Sequence, residues 1–192
     1  MKDITNNEMR FVLVIFKNPE KEYNTSNIAE ILGISPMGAL KIARSLEKEN
    51  IVKSREIGKA RVYQLNLQDA YVRQYLKFLL KREAEQAPAY IKMWVNELRK
   101  IKNADAAVLF GSILRSKEAR DIDVLLITSQ KRFSKLKKEV ENINLINIKK
   151  LHPIYQSEKD IKTNINNGDK ALLNAIKGIV IFGEDKLIDL LK

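Results

Sequence analysis

Gly111-Ser112, and Asp121-Ile122-Asp123 nine residues further on, are the residue types and the spacing in this chain that could do chemistry. Ala106 to Ser112 and Asp121 to Ile127 contain apolar runs on either side of a basic connection. Such runs suit neighbouring buried strands. Side chains alternate along a strand, so Asp121 and Asp123 are expected on one face and Ile122 and Val124 on the other. Two carboxylates on one face repel unless a cation sits between them, and hard oxygen ligands suit Mg²⁺ or Mn²⁺. Gly111 lets the backbone approach an anion without a Cβ in the way. Ser112 adds a hydroxyl and is expected to open a short helix whose first amides favour phosphate. The chemistry this predicts is the holding of a nucleoside triphosphate with metal ions.

Gly-Ser, Arg115 three residues on, and Asp-x-Asp in an apolar strand resemble the signature of the DNA polymerase β-type nucleotidyltransferases, above all the minimal nucleotidyltransferases of bacteria and archaea. The resemblance covers roughly residues 88 to 192. It implies that Gly111 and Ser112 grip the triphosphate of ATP or another NTP, and that Asp121 and Asp123 are catalytic and bind metal. A nucleotide would then pass to a hydroxyl by a two-metal mechanism with loss of pyrophosphate. Arg115, Lys117 and Arg120 are candidates to offset phosphate charge.

Two departures from that pattern matter. Ser116 stands where the family has Gly after the Arg, and the third carboxylate expected on the next strand is not evident. A helix is expected from about Lys131 to Glu141, followed by a strand over Leu145-Ile-Asn-Ile148 that carries no acid. Asn147 is one occupant of the vacated position, with Lys149 and His152 as other register choices. Asn ligates a metal weakly and cannot act as a base. Glu139 and Glu141 are expected on a solvated helix face.

The elements that position these residues sit in a chain of 192 residues with 45% hydrophobic content, enough for one large or two small cores. There is no Cys and a single His, which excludes disulfides, thiolate sites and His-rich zinc sites. No apolar run is long enough to span a bilayer and the start lacks a signal-peptide shape, so a cytoplasmic protein is expected. The formal net charge of +11 points to a polyanionic partner. The excess is densest over residues 71–103, with eight basic residues against three acidic.

In the N-terminal third, Thr5 can cap a helix bearing Met9, Val12, Leu13 and Phe16. Tyr23 is expected in a linker and Thr25 as the cap of a second helix that Gly33 ends. Ser35-Pro36 restarts a third helix running to about Asn50, with Ala39, Ala43 and Leu46 inward. Residues 51–56 and 61–65 alternate about a turn at 57–59 and read as a hairpin. Thr25 to Leu65 resembles the winged helix-turn-helix domains of archaeal and bacterial regulators. That resemblance implies duplex DNA as partner, with Lys41, Arg44 and Lys48 on the third helix and Lys53, Arg55, Lys59 and Arg61 along the wing making chiefly phosphate contacts. Met37, Gly38 and Leu40 supply none of the side-chain forks that read base edges.

A helix over residues 68–85 carries Tyr71, Val72, Tyr75, Leu76, Phe78, Leu79 and Leu80. Its aromatics are spaced as core, and a homodimer contact is expected of it. After Ala87-Pro88, a helix with Ile91, Trp94, Val95 and Leu98 belongs under the second sheet. Pro153 is expected to break the strand after His152. Ser157 and Asp169 are expected to cap two further helices, the latter with Ala171, Leu172 and Ala175 inward, before a strand at 178–183 and a last helix over 185–191.

The fold class expected is α/β (α+β): a winged helix-turn-helix over residues 1–67, a connecting and dimerisation helix over 68–87, and a nucleotidyltransferase-like mixed sheet with flanking helices over 88–192. The function expected is DNA binding joined to nucleotidyl transfer. By the family resemblance the acceptor could be a helical toxin protein, which would make the chain an antitoxin repressing its own operon. The alternative is a non-catalytic transcriptional regulator whose degenerate transferase fold senses nucleotide or dimerises.

Overall fold

The computed structural model describes residues 4–58 and 60–191. The chain divides into two compact units, the first ending at Leu79 and the second spanning Leu80–Leu191.

In the first unit, α1 (Asn6–Phe16) starts at a reciprocal cap, in which Thr5 accepts from the Glu8 amide and Glu8 accepts from that of Thr5. A two-residue strand, β1 (Tyr23–Asn24), leads into α2 (Thr25–Leu32). The cap of α2 is Asn24 rather than Thr25, its side chain accepting from the Asn27 amide. Gly33, at φ 69°, ends α2. Ser35 then caps α3 (Pro36–Lys48), with Pro36 in the first helical turn. Arg10 of α1 donates to the carbonyls of Ile31 and Leu32, which ties it to the end of α2. The hairpin β2 (Val52–Ile57) and β3 (Ala60–Leu65) follows, and β3 lies between β1 and β2 in an antiparallel sheet. Tyr23, expected in a linker, is therefore a strand residue paired with Tyr63. Helix, strand, two helices and a hairpin in this order make a winged helix, cored by Phe11, Val12, Ile28, Ala39, Ala43 and Leu46.

The helix α4 (Ala70–Glu85) buries Val72, Leu76, Leu79, Leu80 and Ala84. The aromatics expected in its core do not all lie there. Tyr71 and Phe78 are 58% and 50% exposed, and Tyr71 stacks on Tyr75 along the helix surface. The apolar stripe is wider than one packing face can cover, so the aromatic edge is left to solvent.

The second unit is a mixed sheet of β4 (Ala106–Phe110), β5 (Ile122–Ile127), β6 (Leu151–Gln156) and β7 (Ile179–Phe182), in spatial order β6-β5-β4-β7. β4 is antiparallel to β5 and β7, while β5 and β6 are parallel. Leu109, Ile122, Val124 and Leu126 form one core with Ile91, Trp94 and Leu98 of α5 (Ala89–Leu98) and Leu136, Val140 and Ile143 of α6 (Phe133–Ile146). α7 (Glu158–Asn166), α8 (Lys170–Ile176) and α9 (Glu184–Leu190) complete the unit. Leu172 and Ala175 of α8 are buried as expected, but Ala171 is exposed.

Two expectations about this sheet are corrected. The helix α6 continues to Ile146, so Leu145 to Ile148 is not a strand and all three of its aliphatic side chains are exposed. Pro153 does not break the following strand but lies within it. β6 pairs only with β5, and a Pro on an edge strand withholds a donor that the sheet does not need on that side.

Candidate functional site

Strand register aligns the chemistry of the second unit. Phe110 at the end of β4 is opposite Asp123 on β5, and Asp123 is opposite His152 on β6. The three form a row across one end of the sheet. Gly111 follows Phe110 at φ 83°, and Ser112 opens a 3-10 turn through Leu114, closed by the Arg115 amide donating to the Ser112 carbonyl. A Cβ on Gly111 would overlap the Asp123 carboxylate, so the missing side chain is what allows β4 and β5 to bring these two residues together.

Gly111, Ser112, Arg115, Asp123, His152 and Asn174 line one open cavity of about 680 Å³, with Phe110, Pro153 and Ile154 as its apolar wall. The cavity unites five residues singled out by sequence, Gly111, Ser112, Arg115, Asp123 and His152. Asp121 and Arg120 are not in its lining. Asp121 precedes β5, about half exposed, with Oδ1 3.8 Å from His152 Nε2. Lys117 is engaged differently, its carbonyl accepting from the Lys149 ammonium.

Asn147 is not opposite the aspartates. It ends α6, and its amide donates to the Ile143 carbonyl at 2.9 Å. The position beside Asp123 belongs to His152, because β6 begins at Leu151 rather than Leu145. Asn174 was not legible in the sequence. It sits with Lys170 and Ala171 on the exposed side of α8, and only the approach of α8 to β4 and β5 brings it to this rim. A polar residue between Leu172, Leu173, Ala175 and Ile176 was the available signal.

Among the described residues no three His, Asp or Glu side chains gather tightly enough to hold a metal ion by themselves. The donor set still fits Mg²⁺ or Mn²⁺ in one specific way. Such ions are commonly held by one or two carboxylates together with the phosphates of a bound nucleotide. Asp123, which lines the cavity, is the carboxylate that could supply that protein share.

On the winged helix, Lys41, Arg44 and Lys48 of α3 are exposed, as is Lys53 of β2. Two further wing cations are partnered within the protein. Arg55 pairs with Glu22, and Arg61 donates to Ser54 and, at 2.8 Å, to Glu47. Lys59 lies outside the described residues. The Tyr63 phenol beneath this network is pushed above its ordinary pKa by burial first and by Glu47 second. Among the described residues, exposed cations lie along α3, with Lys53 on the wing.

No family model matches the chain, and no curated protein matches it. Among solved structures it is similar to the adhesin competence repressor AdcR of Streptococcus pyogenes, at 14% identity and a TM-score of 0.39 over 52% of this chain and 69% of that one. It is similar also to ZitR of Lactococcus lactis, a zinc-responsive MarR family member, at 16% identity and a TM-score of 0.38 over 52% and 70%. ZitR bound to DNA matches at 14% identity and a TM-score of 0.31 over 52% and 73%. Likenesses this distant carry no conclusion about the chain, and its winged helix rests on its own topology.

Proposed function

We propose that the chain is a DNA-binding regulator, dimeric through α4, whose second unit holds a nucleoside triphosphate as a ligand. The observation that carries this reading is the set of exposed cations on α3, turned away from the winged-helix core in a chain of net charge +11. Cations so placed suit the phosphates flanking a major groove. The aromatic edge of α4 supports the dimer, since exposed Tyr and Phe on one helix are the side chains that anchor interfaces.

The cavity around Gly111 supports the nucleotide. Its volume suits a small-molecule ligand, and its polar groups converge at the end of two strands. The Gly111 amide and the Ser112 hydroxyl can donate to phosphate oxygens, and Arg115 can offset their charge. The Asn174 amide offers a donor and an acceptor to a sugar or base. A divalent cation, held by Asp123 with Asp121, would neutralise part of the phosphate charge. Holding rather than transfer is favoured because an imidazole stands beside Asp123, where the transferase pattern has an acid.

Titration of a labelled duplex by fluorescence anisotropy at several salt concentrations tests the reading. Log affinity is expected to fall linearly with log salt. No binding to any duplex at low salt would leave the winged helix as a protein-docking module. Nucleotidyl transfer to a hydroxyl, on a helical toxin or another acceptor, is the second reading, favoured by the Asp121–His152 pair. It is tested by label transfer from α-labelled ATP.

A further inference from the structure

The exposed face of α3 is not uniformly basic. Met37, Lys41, Arg44 and Lys48 follow one another at four, three and four residues, which places them within an arc of about 60° on a helix. Ala39, Ala43 and Leu46, on the opposite side, are buried in the core. The stripe runs about 16 Å at the helical rise. Cations take its middle and its C-terminal end, and Met37 takes the head.

Met37 is 67% exposed, more than any other large hydrophobic side chain described in the first unit. Ser35 accepts from the Gly38 amide at 3.0 Å and fixes this turn. Gly38 adds no side chain beside the thioether, and Leu40 is half-buried. The first turn of α3 therefore offers an apolar probe and no hydrogen-bonding fork. Burying that probe against an apolar group is favourable. The polyanion that Lys41, Arg44 and Lys48 match carries one such group on the floor of its major groove, the 5-methyl of thymine.

We propose that Met37 selects the DNA target by packing on thymine methyl groups, while the three cations behind it bind phosphates without regard to sequence. This rests on the DNA-binding reading above. Selection by methyl contact predicts a preference for thymine at one fixed position of each bound site, with little hydrogen-bond discrimination around it.

The test uses the full chain and a duplex enriched from a random 26-base-pair pool at low salt. Each thymine of the enriched duplex is replaced in turn by deoxyuridine, which removes only the methyl. One position per site is expected to lose about fourfold in affinity, the worth of one buried carbon. Met37→Ala should lose the same factor on the thymine duplex and become indifferent to deoxyuridine there, while Met37→Leu keeps the preference. Uniform affinity across all deoxyuridine duplexes, or an unchanged preference in Met37→Ala, overturns the inference and leaves DNA binding standing. Failure to enrich any duplex overturns both.

Discussion

Gly111 gives up its side chain to the Asp123 carboxylate, and the cavity depends on that exchange. Gly111→Ala must push Asp123 aside while also holding a β-carbon at φ 83°. The variant is expected to lose at least tenfold in Mg²⁺-ATP affinity by calorimetry and about 1–3 kcal/mol in stability by denaturant unfolding. His152 supplies a second test at the same scale. His152→Asp places an acid opposite Asp123 and is expected to raise Mn²⁺ affinity in the presence of ATP. Asn147→Asp should leave that affinity unchanged, since Asn147 bonds to its own helix. The sequence singled out Gly111, Ser112 and Asp123, which line one cavity, and Asp121, which lies outside its lining. The neighbour of Asp123 was legible only as one of three register choices, because it is decided by where β6 begins, three residues beyond a Leu-Ile-Asn-Ile segment that has the composition of a strand.

At the level of elements, caps were the most readable signals. Thr5, Ser35, Ser157 and Asp169 all cap where their types and followers predict. The cap of α7 has a measurable pH consequence. The Asp160 pKa is held below the ordinary carboxylate value first by the Ser157 hydroxyl and then by the Ser157 amide. Its folded value is depressed, so its contribution to stability is complete above the unfolded value of about 3.9 and is lost as pH falls through the folded one. An NMR titration of Ser157→Ala should find the Asp160 midpoint moved up towards that unfolded value. Strands were harder to read. β1 has two residues and no alternation to show, and β6 contains a Pro that is harmless only at a sheet edge. Neither fact is local, so neither could be seen in a window of residues. The same holds for α4, whose periodicity marks an apolar stripe but not how much of it a single chain can cover.

For the whole molecule, the charge and the aromatic edge of α4 make two separable predictions. Sedimentation should find a dimer, and Tyr71→Ser with Phe78→Ser a monomer of unchanged helical content. Lys41→Ala with Arg44→Ala should weaken binding to all duplexes alike and flatten the salt slope by about two counterions. The order of the chain adds a further consequence. β4 lies between β5, which follows it closely, and β7, some seventy residues later. Gly178 and Gly183, at the two ends of β7, have the β4 backbone where their side chains would be, so this late strand is fitted closely to its partner. During synthesis the first unit emerges complete, while the second waits for its last strand with one edge of β4 bare. A ribosome paused shortly before Ile179 would therefore display a finished winged helix and an unfinished sheet. Limited proteolysis of such stalled chains should find the first unit protected and the second cut.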